Sequence, residues 1–203
     1  MDRLHSLADE LREVFSERGH AIDKALSRDV AFRRTKRPKS TLVRELVLTG
    51  VEGATTKLGL SCIPVVGGSC DVQDIVEGVD RRFRVLKAGI APETGEYDIV
   101  ASSDAILTVT EAEPDALFPT ERWVLGYTVD DEGMLVDLFA AKVLGLSEDS
   151  VPRLVLGPVT ELGLSGSRPT PTGGGFHPVD EDDLEGMDAG EVGEDEDGLA
   201  SGA

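Results

Sequence analysis

The sequence predicts an α+β fold, in which an N-terminal helical arm precedes a mainly antiparallel β body and a disordered acidic C-terminal tail. Three observations lead to this prediction. Apolar residues recur every three or four positions in the first 30 residues, extended runs separated by turn residues follow from about residue 80, and the composition becomes rich in Gly, Pro, Ser and acids after residue 163. The expected boundaries are 1–40 for the arm, 41–164 for the body and 165–203 for the tail.

The net charge divides along nearly the same boundaries. The 203 residues carry a formal net charge of −19, yet residues 1–40 contain ten Lys/Arg and seven Asp/Glu, which gives +3. Residues 41–165 carry −12 and residues 166–203 carry −10. Because so acidic a chain repels nucleic acid and anionic lipid as a whole, contact with a polyanion requires a local basic segment.

An amphipathic helix is predicted at the N-terminus. Its apolar stripe consists of Leu4, Leu7, Leu11, Val14 and Phe15. Gly19 weakens or ends this helix, and a similar spacing then continues to about Asp29. Such a stripe packs on the protein's own core, docks on a partner helix or mediates self-association, and the sequence leaves these alternatives open.

The body is expected to form a small sheet or a partly open barrel. One hairpin is predicted from the runs 81–90 and 96–110, with Pro92 and Gly95 in the turn. A short helix is expected at 71–79, before this hairpin.

A second hairpin is predicted around Gly133, with Trp123, Leu125 and Tyr127 on one face of its first strand. Residues 134–146 fit both strand and helix spacing, so the sequence does not decide between them. Residues 153–162 supply a last strand, which Pro158 either places at a sheet edge or interrupts.

The residue types needed for common catalytic and metal sites are scarce in the body. All three His lie outside residues 41–165, no GxSxG or phosphate-binding loop occurs, and we expect neither a cofactor nor a metal site. Cys62 and Cys70 are interpreted as small buried hydrophobes in a reducing cytosol. An enzyme with a motif-less carboxylate site stays as an alternative, and its candidate acids Asp98, Asp104 and Asp137 lie in or beside strands.

One basic stretch interrupts the acidic chain. It consists of Arg33, Arg34, Lys36, Arg37 and Lys39, five cations in seven positions. Pro38 prevents a helix from running through it, and Phe32 is its only aromatic neighbour. A solvated linker, a docking site for a protein partner and a nucleic-acid contact are the three interpretations. The tail, about 38 residues with a root-mean-square span of roughly 30–35 Å, is able to compete for this stretch.

The sequence therefore favours a non-catalytic partner-binding or accessory protein, acting through the N-terminal amphipathic helix or the acidic tail. The main alternative is a nucleic-acid-associated regulator that uses residues 33–39, with the tail as an intramolecular competitor. Because the N-terminus lacks the apolar core of a signal peptide and no apolar run reaches about 18 residues, we expect a cytoplasmic protein without membrane contact.

Overall fold

The apolar stripe of the N-terminal segment forms the buried face of a helix. In the computed structural model, which describes residues 1–65, 68–101 and 117–163, helix α1 spans Asp2–Arg18 and buries Leu4, Leu7, Leu11 and Phe15. Helix α2 spans His20–Leu26, and a 3-10 helix follows at Val30–Arg33. The α1 stripe thus packs on the protein's own core, one of the alternatives that the sequence leaves open.

Helix α3, Arg37–Leu58, is the longest helix, and it continues across residue 40, into the segment expected to be rich in strands. Its buried residues Val43, Val47, Val51 and Ala54 recur at helical spacing. It ends at Gly59, which takes the left-handed conformation (φ 65°) that favours glycine. The same apolar, β-branched composition suits strands, so only its 3.6-residue period identifies the helix.

Six strands form one open sheet, so the small-sheet form of the prediction is confirmed. Their order is β1-β2-β3-β6-β7-β8, and all neighbours are antiparallel except β3 and β6. The strands are β1 Ser61–Val65, β2 Ser69–Val76, β3 Val79–Lys87, β6 Thr120–Val129, β7 Leu135–Leu146 and β8 Leu154–Glu161. The short pair β4 Gly89–Ile90 and β5 Tyr97–Asp98 forms a separate two-stranded sheet.

The two faces of the six-stranded sheet are covered differently. One face packs against the helices, and the larger core joins Leu7 and Val47 of the helices to Phe83, Leu125 and Leu138 of the strands. The opposite face carries a smaller cluster around Val124 and Phe139, where the Tyr97 ring of β5 stacks on Phe139 at 3.9 Å.

The hairpin predicted around Gly133 is confirmed. Strands β6 and β7 are antiparallel, Gly133 has φ 88°, and residues 135–146 are strand rather than helix. Trp123, Leu125 and Tyr127 contribute to the larger core, whereas Val124 faces the smaller one. Strand β8 lies at the sheet edge, as Pro158 predicts.

Two expectations for the body are wrong. The helix expected at 71–79 is strand β2 followed by a tight turn, in which Glu77 (φ 51°) and Gly78 (φ 78°) adopt the positive angles of a hairpin. The hairpin expected from 81–90 and 96–110 is reduced to β4 and β5, because β3 pairs in parallel with β6 instead. Residues 102–110 of that prediction lie outside the described residues.

The chain divides into two units, Met1–Ser167 and Arg168–Ala203. The predicted acidic tail, residues 165–203, lies outside the described residues, and its expected disorder stays a prediction. Across the described ranges, no helix combines the length and the hydropathy needed to span a membrane.

Candidate partner-binding groove

The segment between α2 and α3 is shaped by two local signals. The Asp29 carboxylate accepts a hydrogen bond from the backbone N–H of Ala31 at 2.8 Å, which starts the 3-10 helix. Pro38 lies in the first turn of α3, where its fixed φ suits a helix and its missing N–H costs nothing. The chain therefore passes from α2 to α3 within ten residues, between Leu26 and Arg37.

An apolar groove of about 500 Å³ lies between residues of α2, this connecting segment and α3. Its lining consists of Ala25, Leu26, Phe32, Thr35, Arg37, Pro38, Thr41 and Leu42. The Phe32 ring is 48% exposed, although a side chain of this size and hydrophobicity is usually buried. The neighbouring Val30 is 81% exposed, so the apolar surface continues beyond the groove itself.

The segment of chain that contains the groove residues is strongly basic. Residues 20–42 contain seven Lys/Arg and two Asp, a net charge of +5 in a protein whose total is −19, and one of these cations, Arg37, lines the groove itself. An apolar surface surrounded by cations is complementary to an apolar surface surrounded by acids. The groove thus combines an apolar lining with a basic surrounding segment.

Four of the five residues predicted to contact a polyanion or partner lie at the junction between the 3-10 helix and α3. Arg33 ends the 3-10 helix and lies 3.7 Å from the exposed Asp23 carboxylate, and Arg34 follows it. Lys36 is the N-cap residue of α3, and Arg37 begins α3 and lines the groove. All four side chains are exposed. Their function as a contact for a polyanion or a partner stays a prediction.

Lys39 has a different role from the other four cations. Its ammonium donates a hydrogen bond to the backbone carbonyl of Asp131, in the turn between β6 and β7. In the same turn, Asp130 accepts hydrogen bonds from the backbone N–H groups of Glu132 and Met134 at 2.9 and 2.8 Å. Lys39 therefore ties α3 to the sheet, and we do not count it among the groove residues.

The arginines of β3 do not extend this positive surface. Arg82 forms an ion pair with Asp80 at 2.9 Å, and Arg84 forms one with Asp71. Arg81 lies 3.4 Å from the Glu121 carboxylate. Since each of these guanidiniums lies beside a carboxylate of the sheet, the positive potential is concentrated at the 33–37 junction.

The carboxylates considered for an active site are engaged in structural contacts. Asp98 pairs with Arg153, and Asp137 accepts a hydrogen bond from the Thr128 hydroxyl at 2.8 Å. Asp104 lies outside the described residues. A cleft of about 750 Å³ between β5 and β8 carries Glu96 and Glu161 on its walls, and both are exposed to solvent.

The apolar lining of the groove was not recognised from the sequence. Leu26 and Leu42 belong to different helices, and they meet at the groove only because α2 and α3 pack together. Phe32 supplied the available signal, because an aromatic residue inside a basic stretch is out of place in a purely solvated linker.

The chain matches no protein-family model, no curated protein and no solved structure.

Proposed function

We propose that this chain is a non-catalytic partner-binding protein, whose groove between α2 and α3 binds an acidic amphipathic segment of another protein. The observation that carries the proposal is the position of exposed Phe32 on an apolar groove that Arg37 also lines, with Arg33, Arg34 and Lys36 exposed in the same short segment of chain. The sequence favours the cytoplasm as the location, and the proposal keeps it.

The apolar contact supplies the affinity in this proposal. An amphipathic helix that lies in a groove anchors itself by apolar side chains at i, i+3, i+4 and i+7. Phe32, Pro38 and Leu42 offer the matching surface, and aromatic residues are common among the anchors that dominate binding energy. The α1 stripe is buried against the sheet, so the partner is assigned to the groove rather than to that stripe.

The cations supply selectivity and fast association. Charged groups at the rim of an interface change the association rate and its salt dependence more than the final affinity. An acidic partner is therefore drawn to the only segment, 1–40, that carries a net positive charge among the three segments of this sequence. A neutral amphipathic segment lacks this attraction, and a basic one is repelled by the four exposed cations.

The test is a fluorescence anisotropy titration of the full chain with a synthetic helical peptide of about 15 residues, with Leu at i, i+3, i+4 and i+7 and Glu at most other positions. We expect saturable binding that weakens about tenfold or more in Phe32→Ser and severalfold in Arg37→Gln. Leu144→Ser is the matched control for the first change, because Leu144 is 62% exposed on β7. Lys57→Gln is the control for Arg37→Gln, because Lys57 lies about 30 Å along α3 from Arg37.

Two further peptides separate the groove from simple charge attraction. A peptide with the same Glu content but Ser at the apolar positions should bind at least tenfold more weakly, and one with Lys in place of Glu should not bind measurably. Heparin is the polyanion probe. If heparin and the Ser-substituted peptide bind as tightly as the amphipathic peptide, and Phe32→Ser has no effect, the groove proposal is refuted and the polyanion alternative takes its place.

A further inference from the structure

Two cysteines lie side by side on neighbouring strands of the sheet. In the antiparallel register of β1 and β2, Cys62 is opposite Val72 and Cys70 is opposite Pro64. Cys62 and Cys70 are therefore diagonal neighbours, and their side chains point to the same face of the sheet because they lie an even number of positions apart in the register. Both contribute to the larger core beneath the helices, and both are free thiols.

The two thiols differ in their access to solvent. Cys70 is 5% exposed, whereas Cys62 is partly exposed on the edge strand β1. Burial first, and then the adjacent thiol of Cys62, raise the pKa of the Cys70 thiol. A reagent dissolved in water consequently meets Cys62 first, and Cys70 is placed to react with whatever forms on Cys62.

We propose that Cys62 and Cys70 form a redox-sensitive dithiol, in which a peroxide oxidises the pair to an intrachain disulfide that joins the edge strand β1 to β2. This site goes beyond the groove proposal and does not depend on it. The two sites lie on different elements, since the groove belongs to α2, the 3-10 helix and the first turns of α3.

The chemistry proceeds in two steps. The Cys62 thiolate attacks one oxygen of hydrogen peroxide, the O–O bond breaks, and water leaves after protonation, so that Cys62 becomes a sulfenic acid. The Cys70 sulfur then attacks the Cys62 sulfur, the S–O bond breaks, and the Cys70 proton leaves with the hydroxide as a second water. Two thiols and one peroxide thus give one disulfide and two waters.

The strand geometry accommodates this bond with a small movement. Diagonal neighbours on an antiparallel pair have Cα atoms about 7–8 Å apart, and a disulfide usually spans about 4.4–6.8 Å. Closing the bond therefore requires a shift of about 1 Å. Strand β1 is able to make it, because it is an edge strand of five residues that pairs only with β2.

The test treats the folded full chain with hydrogen peroxide and follows free thiols and intact mass over time. We expect both thiols to disappear together, with a mass loss of about 2 Da for the two hydrogen atoms and full reversal by dithiothreitol. The same chain unfolded in guanidinium is the matched control: with dimedone present from the start, a larger share of its thiols should end as dimedone adducts, because no fold holds Cys70 beside Cys62 when the sulfenic acid forms. Equal shares of dimedone adduct in the folded and unfolded chains would show that the folded register contributes nothing and would overturn the proposal.

The single variants identify the role of each thiol. Cys70→Ala should keep the first step, so that a sulfenic acid on Cys62 is captured by dimedone, and Cys62→Ala should react at least tenfold more slowly. Circular dichroism verifies that each variant is folded, and the wild-type experiment is decisive if a variant is not. Formation of a covalent dimer, or a stable dimedone adduct on the wild-type chain, would contradict the intrachain bond.

Discussion

Asp71 on β2 and Arg84 on β3 lie directly opposite each other, and the Arg84 guanidinium donates to both oxygens of the Asp71 carboxylate. The two side chains are only 8% and 12% exposed. A second cation, Arg122 of β6, lies 3.7 Å from the same carboxylate. The face of the sheet opposite the helices thus contains a nearly buried ion-pair network across three strands.

We predict that Arg84→Met lowers the free energy of unfolding by about 3 kcal/mol, because it leaves the buried Asp71 carboxylate with a weaker partner. Urea denaturation measures this loss. Arg153→Met, which breaks the more exposed pair with Asp98, should stay within about 1 kcal/mol of wild type. A loss in Arg84→Met no larger than that of the control would show that solvent screens the Asp71 pair after all.

Alanine is expected to have opposite effects on stability at Gly126 and at Gly53. A Cβ at Gly126 of β6 would lie 2.1 Å from a ring carbon of Phe139, whereas a Cβ at Gly53 of α3 would meet nothing within 4 Å. Gly126→Ala should therefore destabilise the protein by about 2 kcal/mol or more, and Phe139→Leu should recover part of that loss. Gly53→Ala should stabilise it by about 0.5–1 kcal/mol. Thermal melts of Gly126→Ala, of Gly126→Ala combined with Phe139→Leu, and of Gly53→Ala measure these changes in stability. A Gly126→Ala variant as stable as wild type would contradict the packing described for β6 and β7.

Stability is predicted to fall at acidic pH partly through Glu121. A hydrogen bond from Lys142, then one from the Trp123 indole, lower the pKa of the Glu121 carboxyl below its ordinary value. A carboxyl whose folded-state pKa is depressed stabilises the fold above its unfolded-state pKa of about 4.3, and this contribution is lost as pH falls through the folded-state pKa.

Urea denaturation between about pH 3 and 6 measures this dependence, with Glu121→Gln as the comparison. The gap in stability between wild type and variant should shrink as pH falls, and Trp123 emission should shift over the same range in wild type alone. A gap that stays constant across this range would contradict the contribution of Glu121.

The alternative function, a nucleic-acid-associated regulator, makes its own prediction. If residues 178–203 compete for the basic stretch, deleting them should strengthen binding to heparin or single-stranded DNA, most clearly at low salt. Replacing Arg33, Arg34, Lys36 and Arg37 by Gln in the shortened chain should abolish the gain. A salt titration of the intact, shortened and neutralised chains measures both effects. Absence of binding by the shortened chain at low salt would eliminate the nucleic-acid alternative.

Local periodicity made several elements predictable. The stripe of α1 follows from the spacing of Leu4, Leu7 and Leu11, and the β6–β7 hairpin follows from an alternating run that ends at Gly133. Pro158 indicated an edge strand, because proline lacks a backbone N–H, whereas helix α3 was not predicted and begins at Arg37, beside Pro38. These signals lie within a few residues of the features that they specify.

The errors came from signals that local sequence does not carry. Strand β2 was predicted as a short helix, and its sequence places Asp71 and Asp74 at positions that are buried in the strand. Burial of these carboxylates becomes understandable only with their ion-pair partners, Arg84 on β3 and Arg3 on α1. The parallel pairing of β3 with β6 depends on a connection of more than 30 residues, and no turn signal specifies it.

The candidate site divides in the same way. The sequence by itself determined that a basic segment exists in an acidic chain, because charge is a property of residue types and their order. Only the tertiary structure decided that Lys39 binds the β6–β7 turn, while Arg37 joins Phe32 and Leu42 at a groove. The physical reason is that a groove consists of surfaces brought together from separate helices, and the packing of α2 against α3 fixes which residues meet there.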